Sequence, residues 1–331
     1  MIDYLQSLRR EYTVADLPIT TMEGAQPPLL LTVNTDYQDQ NSAAAIRSAL
    51  ADRGALLIRG LPPVDARGAV QIADALFPGE DAIDTGEHPL AGDTAALYQP
   101  VPFASDQTLL WHHENSFNAR FPRILIFICR RPAAHGGATT LVDSRLVYQL
   151  VPEDVRVRFA AGAIRYVRRC DGFAGRSWQQ LYRTHDPDVA TQRAAESGET
   201  LTFEDDTALI VTARPAFIET AHGPSWFNQL LHWHPSVLPE ELLALVRSGA
   251  VPAFRDCTYG DGEAIDDDVV ECIVTLHRQN EYPVNWQAGD VLLLDNTVFS
   301  HGRHPYRGPR EHFVRMIKAG CHDETPLAPS G

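Results

Sequence analysis

Four short apolar runs constrain this chain more than any other feature: ILIFIC (124–129), ALIVTA (208–213), VLLLD (291–295) and HFVRMIK (312–318). Each is bounded within a few residues by Gly, Pro or Asp, is too short for a stable helix, and reads as a strand. Helical spacing intervenes at 42–53, where Ala45, Ile46 and Leu50 share a face and Asn41 or Ser42 can cap, and again at 70–77, 152–161 and 239–248. ALLIRGLPP (55–63) reads as a further strand stopped by Gly60 and the prolines, and residues 1–40 read as irregular, with prolines in DLP and QPP. Strands this short and this far apart suit an antiparallel sandwich or barrel with long insertions better than repeated βαβ units. No phosphate loop of the GxGxxG or GxxxxGK kind is present. The expectation is a mainly β fold with helical insertions, one domain over 1–331, in which elements of 1–90 pack on a core spanning 91–322.

Charge and cysteine usage exclude several classes. With 331 residues, 44% of them hydrophobic, the chain can bury a substantial core. A net charge of −15 with no basic run argues against a nucleic-acid surface. The five cysteines are odd in number, widely spaced and without a CxxC pair, which speaks against a disulfide framework or a thiolate zinc site. The first residues are polar, and no stretch approaches the roughly 18 apolar residues of a membrane span. These features predict a soluble, cytoplasmic protein without a membrane partner, and the acidity leaves a homo-oligomer open.

The chemistry concentrates in WHHENSF (111–117) and DNTVFSHGR (295–303). In extended chain, residues i and i+2 point the same way, so His112 and Glu114 converge while His113 faces away. A third ligand from elsewhere would complete a two-histidine, one-carboxylate set, which favours non-haem Fe(II); His301 is the candidate. Taken alone, HxE and a later histidine are also what polar strand ends look like. A zinc hydrolase using a metal-activated water and a non-catalytic β-barrel binding protein stay open at this level. HxE, DNxxxxHGR and a following arginine in that order are more specific.

That order, together with GGATTLVDSR (136–145), GRSWQQLYRTHD (175–186), WFNQLLHWH (226–234), TYGDGEAIDDDVV (258–270) and WQAGDVLLLDNTVFSHGRHPYRGPR (286–310), resembles the Fe(II)/2-oxoglutarate dioxygenases of the taurine dioxygenase superfamily. The similarity is greatest to the clavaminate synthase-like and syringomycin-pathway aspartyl hydroxylase-like branch. It implies a double-stranded β-helix, or jelly roll, with His112, Glu114 and His301 as iron ligands. It further implies that Thr139 of the GGxT segment and Arg310 of the GxR segment grip the distal carboxylate of 2-oxoglutarate, with dioxygen as the other co-substrate. Related halogenases replace the carboxylate ligand by a small residue, so Glu114 implies oxygen transfer or desaturation instead.

Some relatives carry a second arginine four residues after the first, to hold an anionic substrate. Here that position is Val314, and Arg315 lies on the opposite face unless a bulge reverses the strand, in which case Arg315 takes the 2-oxoglutarate role. The resemblance also implies hydroxylation of an sp3 carbon in a small-molecule substrate, an amino acid or a derivative, free or carried on an amino-acyl carrier protein, in natural-product biosynthesis. Desaturation, epoxidation or cyclisation would use the same ligands. His113 is a candidate substrate contact or a local hydrogen-bonding group, and Asn228 and Gln229 are candidate pocket residues. His232 and His234 read as structural, Trp111 and Phe117 as packing, and the acidic run 260–268 as a solvated loop capping the next helix.

Overall fold

The computed structural model describes residues 19–21, 31–33, 40–83, 88–91, 97–170, 176–204 and 207–322. Within the stretch expected to be irregular, Ile19–Thr21 and Leu31–Val33 form short strands and Gln40 opens a helix; the rest of it lies outside the described residues.

VLLLD explains the architecture. Strand Val291–Asp295 is apolar at successive positions because both of its faces are covered. It lies inside a six-stranded sheet ordered Ile19–Thr21, Leu31–Val33, Ala55–Ile58, Val291–Asp295, Arg120–Arg131, Glu311–Cys321. All neighbours in this sheet are antiparallel except Leu31–Val33 beside Ala55–Ile58. On one face, Leu56, Ile126, Leu293 and Phe313 pack on Ile46 and Leu50 of helix Gln40–Arg53 and on Ile72 and Leu76 of helix Ala66–Leu76. On the other, Leu57, Leu125, Leu292 and Leu294 meet Leu141, Val284 and Phe299 of a second sheet. That sheet is four-stranded, in the order Tyr282–Val284, Thr139–Asp143, Phe299–Arg303, Leu109–His112. The two sheets and the apolar layer between them are the expected jelly roll.

The insertions thicken the far side of the second sheet. Helix Asp267–Asn280 buries Val270 and Ile273 in one cluster with Trp111, Val142, Trp226 and Trp233. A four-stranded sheet, ordered Arg255–Tyr259, Ala163–Cys170, Thr207–Pro215, Glu199–Glu204, adds Ile164, Tyr166 and Cys257 to that cluster. Helix Ala66–Leu76 begins earlier than its apolar pattern suggested, because the Asp65 side chain accepts the Gly68 N–H (2.9 Å) and caps it. The acidic run behaves differently from expectation. Asp266 stands at the N-cap of Asp267–Asn280 without a side-chain cap hydrogen bond, while Asp261 and Glu263 pair with Arg158 at the surface (2.7 and 2.9 Å). Among the described residues, no helix is long and apolar enough to cross a membrane.

Candidate metal and co-substrate site

Cross-strand pairing builds the centre. His301 on the middle strand Phe299–Arg303 lies directly opposite His112, the last residue of Leu109–His112, and their rings are 4.3 Å apart. Beyond His112 the chain leaves the sheet in a tight turn, with Asn115 at φ 53°, a left-handed conformation that Asn tolerates better than most residues. Glu114 is therefore not on a strand, yet it turns back to the same point. Its backbone is clamped by the buried Asn296 side chain, whose Oδ1 accepts the Glu114 N–H (2.8 Å) and whose Nδ2 donates to the Glu114 carbonyl (2.9 Å). Nδ2 donates also to the Pro122 carbonyl (2.8 Å). One ligand atom from each of His112, Glu114 and His301 lies within 4.8 Å of the other two.

The protonation states suit a cation. The Nδ1 of His112 donates to the Leu110 carbonyl (3.1 Å), which turns Nε2 toward the centre, 3.8 Å from Glu114 Oε2. Burial, and then the neighbouring His112, push the pKa of His301 well below its ordinary value, and its Nδ1 is buried without a partner. Burial opposes ionisation of Glu114, but His88, His112 and His301 outweigh it and hold the carboxyl well below its usual range. His88 Nε2 stands 3.6 Å from Glu114 Oε2. Two imidazoles and a carboxylate converging on one point fit a divalent ion of the non-haem iron type.

The centre opens into a cavity of about 600 Å³ whose lining includes Thr139, Gln229, His232, Arg303, Arg310 and His312. At one end Thr139 lies opposite Arg303 across the sheet, and its Oγ1 accepts the Trp286 Nε1–H (3.0 Å). Arg310 reaches the same end. Burial, and then the charge of Arg303, lower its pKa to about 10, so it remains a cation at neutral pH, with Nε buried and unpartnered. Arg303 Nη2 donates to the carbonyls of Ala104 (2.6 Å) and Gln107 (3.1 Å), tying down a loop that contributes Val101 and Phe103 to the cavity wall.

Three candidate residues lie elsewhere. Arg315 is on the opposite face of Glu311–Cys321, ion-paired with Asp74 (2.8 Å) and donating to the Glu80 carbonyl (3.2 Å). The register does shift beside it, since Glu311 pairs with Arg131 and His312 with Cys129, but the skipped residue is Arg130 on the partner strand. Alternation along 312–316 is therefore unbroken, with His312 and Val314 toward the cavity and Arg315 away from it.

His113 does not line the cavity; burial holds its pKa down at about 3, Nδ1 donates to the Asn296 carbonyl, and Nε2 pairs with Ser144 Oγ (2.8 Å). It is a core residue that helps to hold the turn. Asn228 donates from Nδ2 to the Ala216 carbonyl (3.0 Å) and accepts the Leu230 N–H (3.0 Å), so it holds the start of the short helix Leu230–Trp233. Its neighbour Gln229 lines the cavity and donates to the His113 carbonyl (2.8 Å). His234 is structural, as expected, between Ser236 and the Ile265 carbonyl. His232 also bonds a carbonyl, that of Leu110 (2.8 Å), but stacks on His112 at 4.2 Å and faces the cavity. His88 is a cavity residue that no motif announced, and His232, expected to be structural, lines the cavity as well. Strand alternation, applied to Val314 and Arg315, would have put His312 on the face of Val314.

Known proteins resemble this chain over most of its length. The model of the taurine catabolism dioxygenase TauD, TfdA family matches residues 15–317. The dapdiamide synthesis protein DdaC of Enterobacter agglomerans is 30% identical over 309 residues, covering 89% of this chain and 92% of that protein. A clavaminate synthase-like protein of Arabidopsis thaliana is 28% identical over 285 residues, 82% of this chain and 83% of that one. Among solved structures, PvcB of Pseudomonas aeruginosa, an Fe, alpha-ketoglutarate dependent oxygenase from an isonitrile synthetic pathway, aligns with a TM-score of 0.54 at 15% identity. That alignment covers 95% of this chain and 97% of PvcB. AAD-2 in complex with Mn(II) and N-oxalylglycine aligns with a TM-score of 0.56 at 12% identity over 93% of this chain and 100% of that one. These two structural likenesses speak to the fold.

Proposed function

The chain belongs to the taurine catabolism dioxygenase TauD, TfdA family, and from that premise we propose that His112, Glu114 and His301 bind its Fe(II) while Thr139 and Arg310 hold its 2-oxoglutarate. As an Fe(II)/2-oxoglutarate-dependent dioxygenase it acts on a small molecule; we infer that it hydroxylates an sp3 carbon of an amino acid or amino-acid derivative in natural-product biosynthesis. The convergence of the three ligand atoms within 4.8 Å at the floor of the cavity carries the reading. The name of the DdaC relative, a synthesis protein, supports the biosynthetic setting.

When bound, the iron and 2-oxoglutarate use dioxygen to oxidise a C–H bond, with succinate and CO2 as the other products. The protein's part is ligation, orientation and exclusion of water. Glu114 supplies a carboxylate that stays ionised across the neutral range, and burial keeps the His301 imidazole neutral with a lone pair to offer beside that of His112. Arg310 offers a planar cation in a dry setting, suited to a two-point, charge-assisted grip on the distal carboxylate. Val314 is the residue four beyond it, so a substrate anion has no arginine to bind there. Leu231, Val237, Leu238 and Phe254 add apolar wall to the cavity, with Gln229 as a polar lining group bonded to the His113 carbonyl.

The test is anaerobic. Metal-free protein is given Fe(II) and then 2-oxoglutarate, and the visible iron-to-2-oxoglutarate charge-transfer band is followed. A saturable band that is lost in His301→Ala and needs far more 2-oxoglutarate in Arg310→Ala is expected. Succinate formation stimulated by particular amino acids would then define the substrate. Well-folded protein with bound iron and no band would overturn the residue assignment.

A further inference from the structure

We propose that His312 is a third holder of the distal carboxylate of 2-oxoglutarate, beside Thr139 and Arg310. The proposal rests on the co-substrate assignment above and adds to it a residue chosen by its surroundings.

His312 lines the cavity, yet it is only 4% exposed, and both of its ring nitrogens are buried without a hydrogen-bond partner. Buried polar groups are paired in the great majority of cases, so an imidazole with two unmatched nitrogens needs a reason. Outside the metal centre, the other buried histidines use at least one ring nitrogen: His113 bonds Asn296 and Ser144, His234 bonds Ser236 and Ile265, and His277 bonds Ile273. Position supplies the reason. Two residues beyond Arg310, and like it on the cavity wall, the ring packs edge-on against Trp286 with centroids 4.7 Å apart. The indole of Trp286 is itself held by its Nε1–H on Thr139 Oγ1 (3.0 Å). Trp286 thus ties His312 to Thr139, and both stand at the end of the cavity that Arg310 reaches.

The chemistry of that end is one-sided. Arg303 and Arg310 bring two cations, and among the described lining residues the one carboxylate is Glu114 at the metal centre. Burial, and then the charge of Arg310, keep the His312 imidazole neutral. It therefore presents one N–H and one lone pair. A carboxylate oxygen takes the N–H, so His312 adds a directed bond without a third positive charge beside the arginines. Arg303 is engaged with the Ala104 and Gln107 carbonyls, which leaves Arg310, Thr139 and His312 to share the two oxygens.

The experiment titrates the anaerobic Fe(II) protein with two acids, 2-oxoglutarate and 2-oxopentanoate, which has a methyl group in place of the distal carboxylate. The charge-transfer band is the readout, so no turnover is needed. His312→Leu is expected to weaken 2-oxoglutarate about tenfold while leaving 2-oxopentanoate within about twofold. His312→Gln keeps an N–H donor and should recover most of the loss, and His312→Phe, which preserves the packing on Trp286, stands in should the leucine variant fail to fold. Equal weakening of both acids would mean that His312 only shapes the cavity, and unchanged 2-oxoglutarate binding would mean that it touches nothing; either overturns the proposal. A wild-type protein that binds iron but shows no band with 2-oxoglutarate would instead overturn the co-substrate assignment, and this proposal with it.

Discussion

Asn296→Ala should show how much of the metal centre rests on one amide. The Asn296 side chain is fully buried and makes three hydrogen bonds, one accepted from the Glu114 N–H and two donated, to the Glu114 and Pro122 carbonyls. Alanine deletes all three and strands one donor and two acceptors away from water. At about 1 kcal/mol for each lost bond, and up to about 3 where a group is left unsatisfied, the loss of stability should be about 3–5 kcal/mol. That is a large share of the roughly 5–15 kcal/mol that holds a typical protein domain folded. Asn296→Asp keeps the acceptor for Glu114 but turns both donated bonds into oxygen–oxygen repulsion, so it should cost at least as much. The functional effect follows from the same bonds: without them the Glu114 backbone is free to shift, and Fe(II) should bind about tenfold more weakly. Urea unfolding followed by tryptophan fluorescence measures the first quantity, and anaerobic competition against a chromophoric chelator the second. A loss below about 1 kcal/mol with Fe(II) affinity within twofold of wild type would refute the view that Asn296 holds the ligand turn.

Three further outcomes are expected. In Gly302→Ala the new Cβ would lie 2.6 Å from the Leu109 carbonyl oxygen and 2.9 Å from Thr140 Oγ1, so both flanking strands must give way; urea unfolding should show a loss of about 1–3 kcal/mol, and chelator competition weaker Fe(II) binding as His301 shifts. Arg315→Met removes an ion pair to the half-exposed Asp74 and should cost about 1 kcal/mol while leaving the 2-oxoglutarate charge-transfer titration unchanged, the reverse of Arg310→Met. His277, whose pKa burial lowers from 6.5 to about 4, is neutral when folded. Its contribution to stability is complete above pH 6.5 and is lost as the pH falls toward 4, because the unfolded chain takes up a proton that the folded one refuses. Denaturant unfolding at pH 7 and pH 5 should therefore show His277→Gln losing on the order of 2 kcal/mol less than wild type over that interval.

Substantial parts of this protein are readable along the chain. An uninterrupted VLLLD is a strand covered on both faces, and that is where it sits, between the helices of one layer and the second sheet of the other. HxE and DNxxxxHGR carry the donor atoms because their spacing is local, and local spacing survives folding. Even so, the convergence of His112 and Glu114 comes about differently from the strand argument, since Glu114 follows the strand end and is returned to the centre by the turn at Asn115 and the clamp of Asn296.

What periodicity could not supply is the identity of each side chain's neighbours. Arg310 and Arg315 are both arginines near a strand start; the face each presents depends on the partner strand absorbing the register shift at Arg130. His113 is one residue from two ligands, yet Ser144 and Asn296, brought from distant parts of the chain, claim both of its nitrogens. His88 carries no motif and becomes a neighbour of Glu114 only when the chain folds over the cavity. His312 reads as one more strand residue until its two nitrogens are found buried and unmatched. The sequence by itself determined which residues bring the chemistry, because residue type and local spacing are properties of the chain. Only the tertiary structure decided which of them meet, because contact between distant strands depends on register and turn geometry that local sequence does not encode.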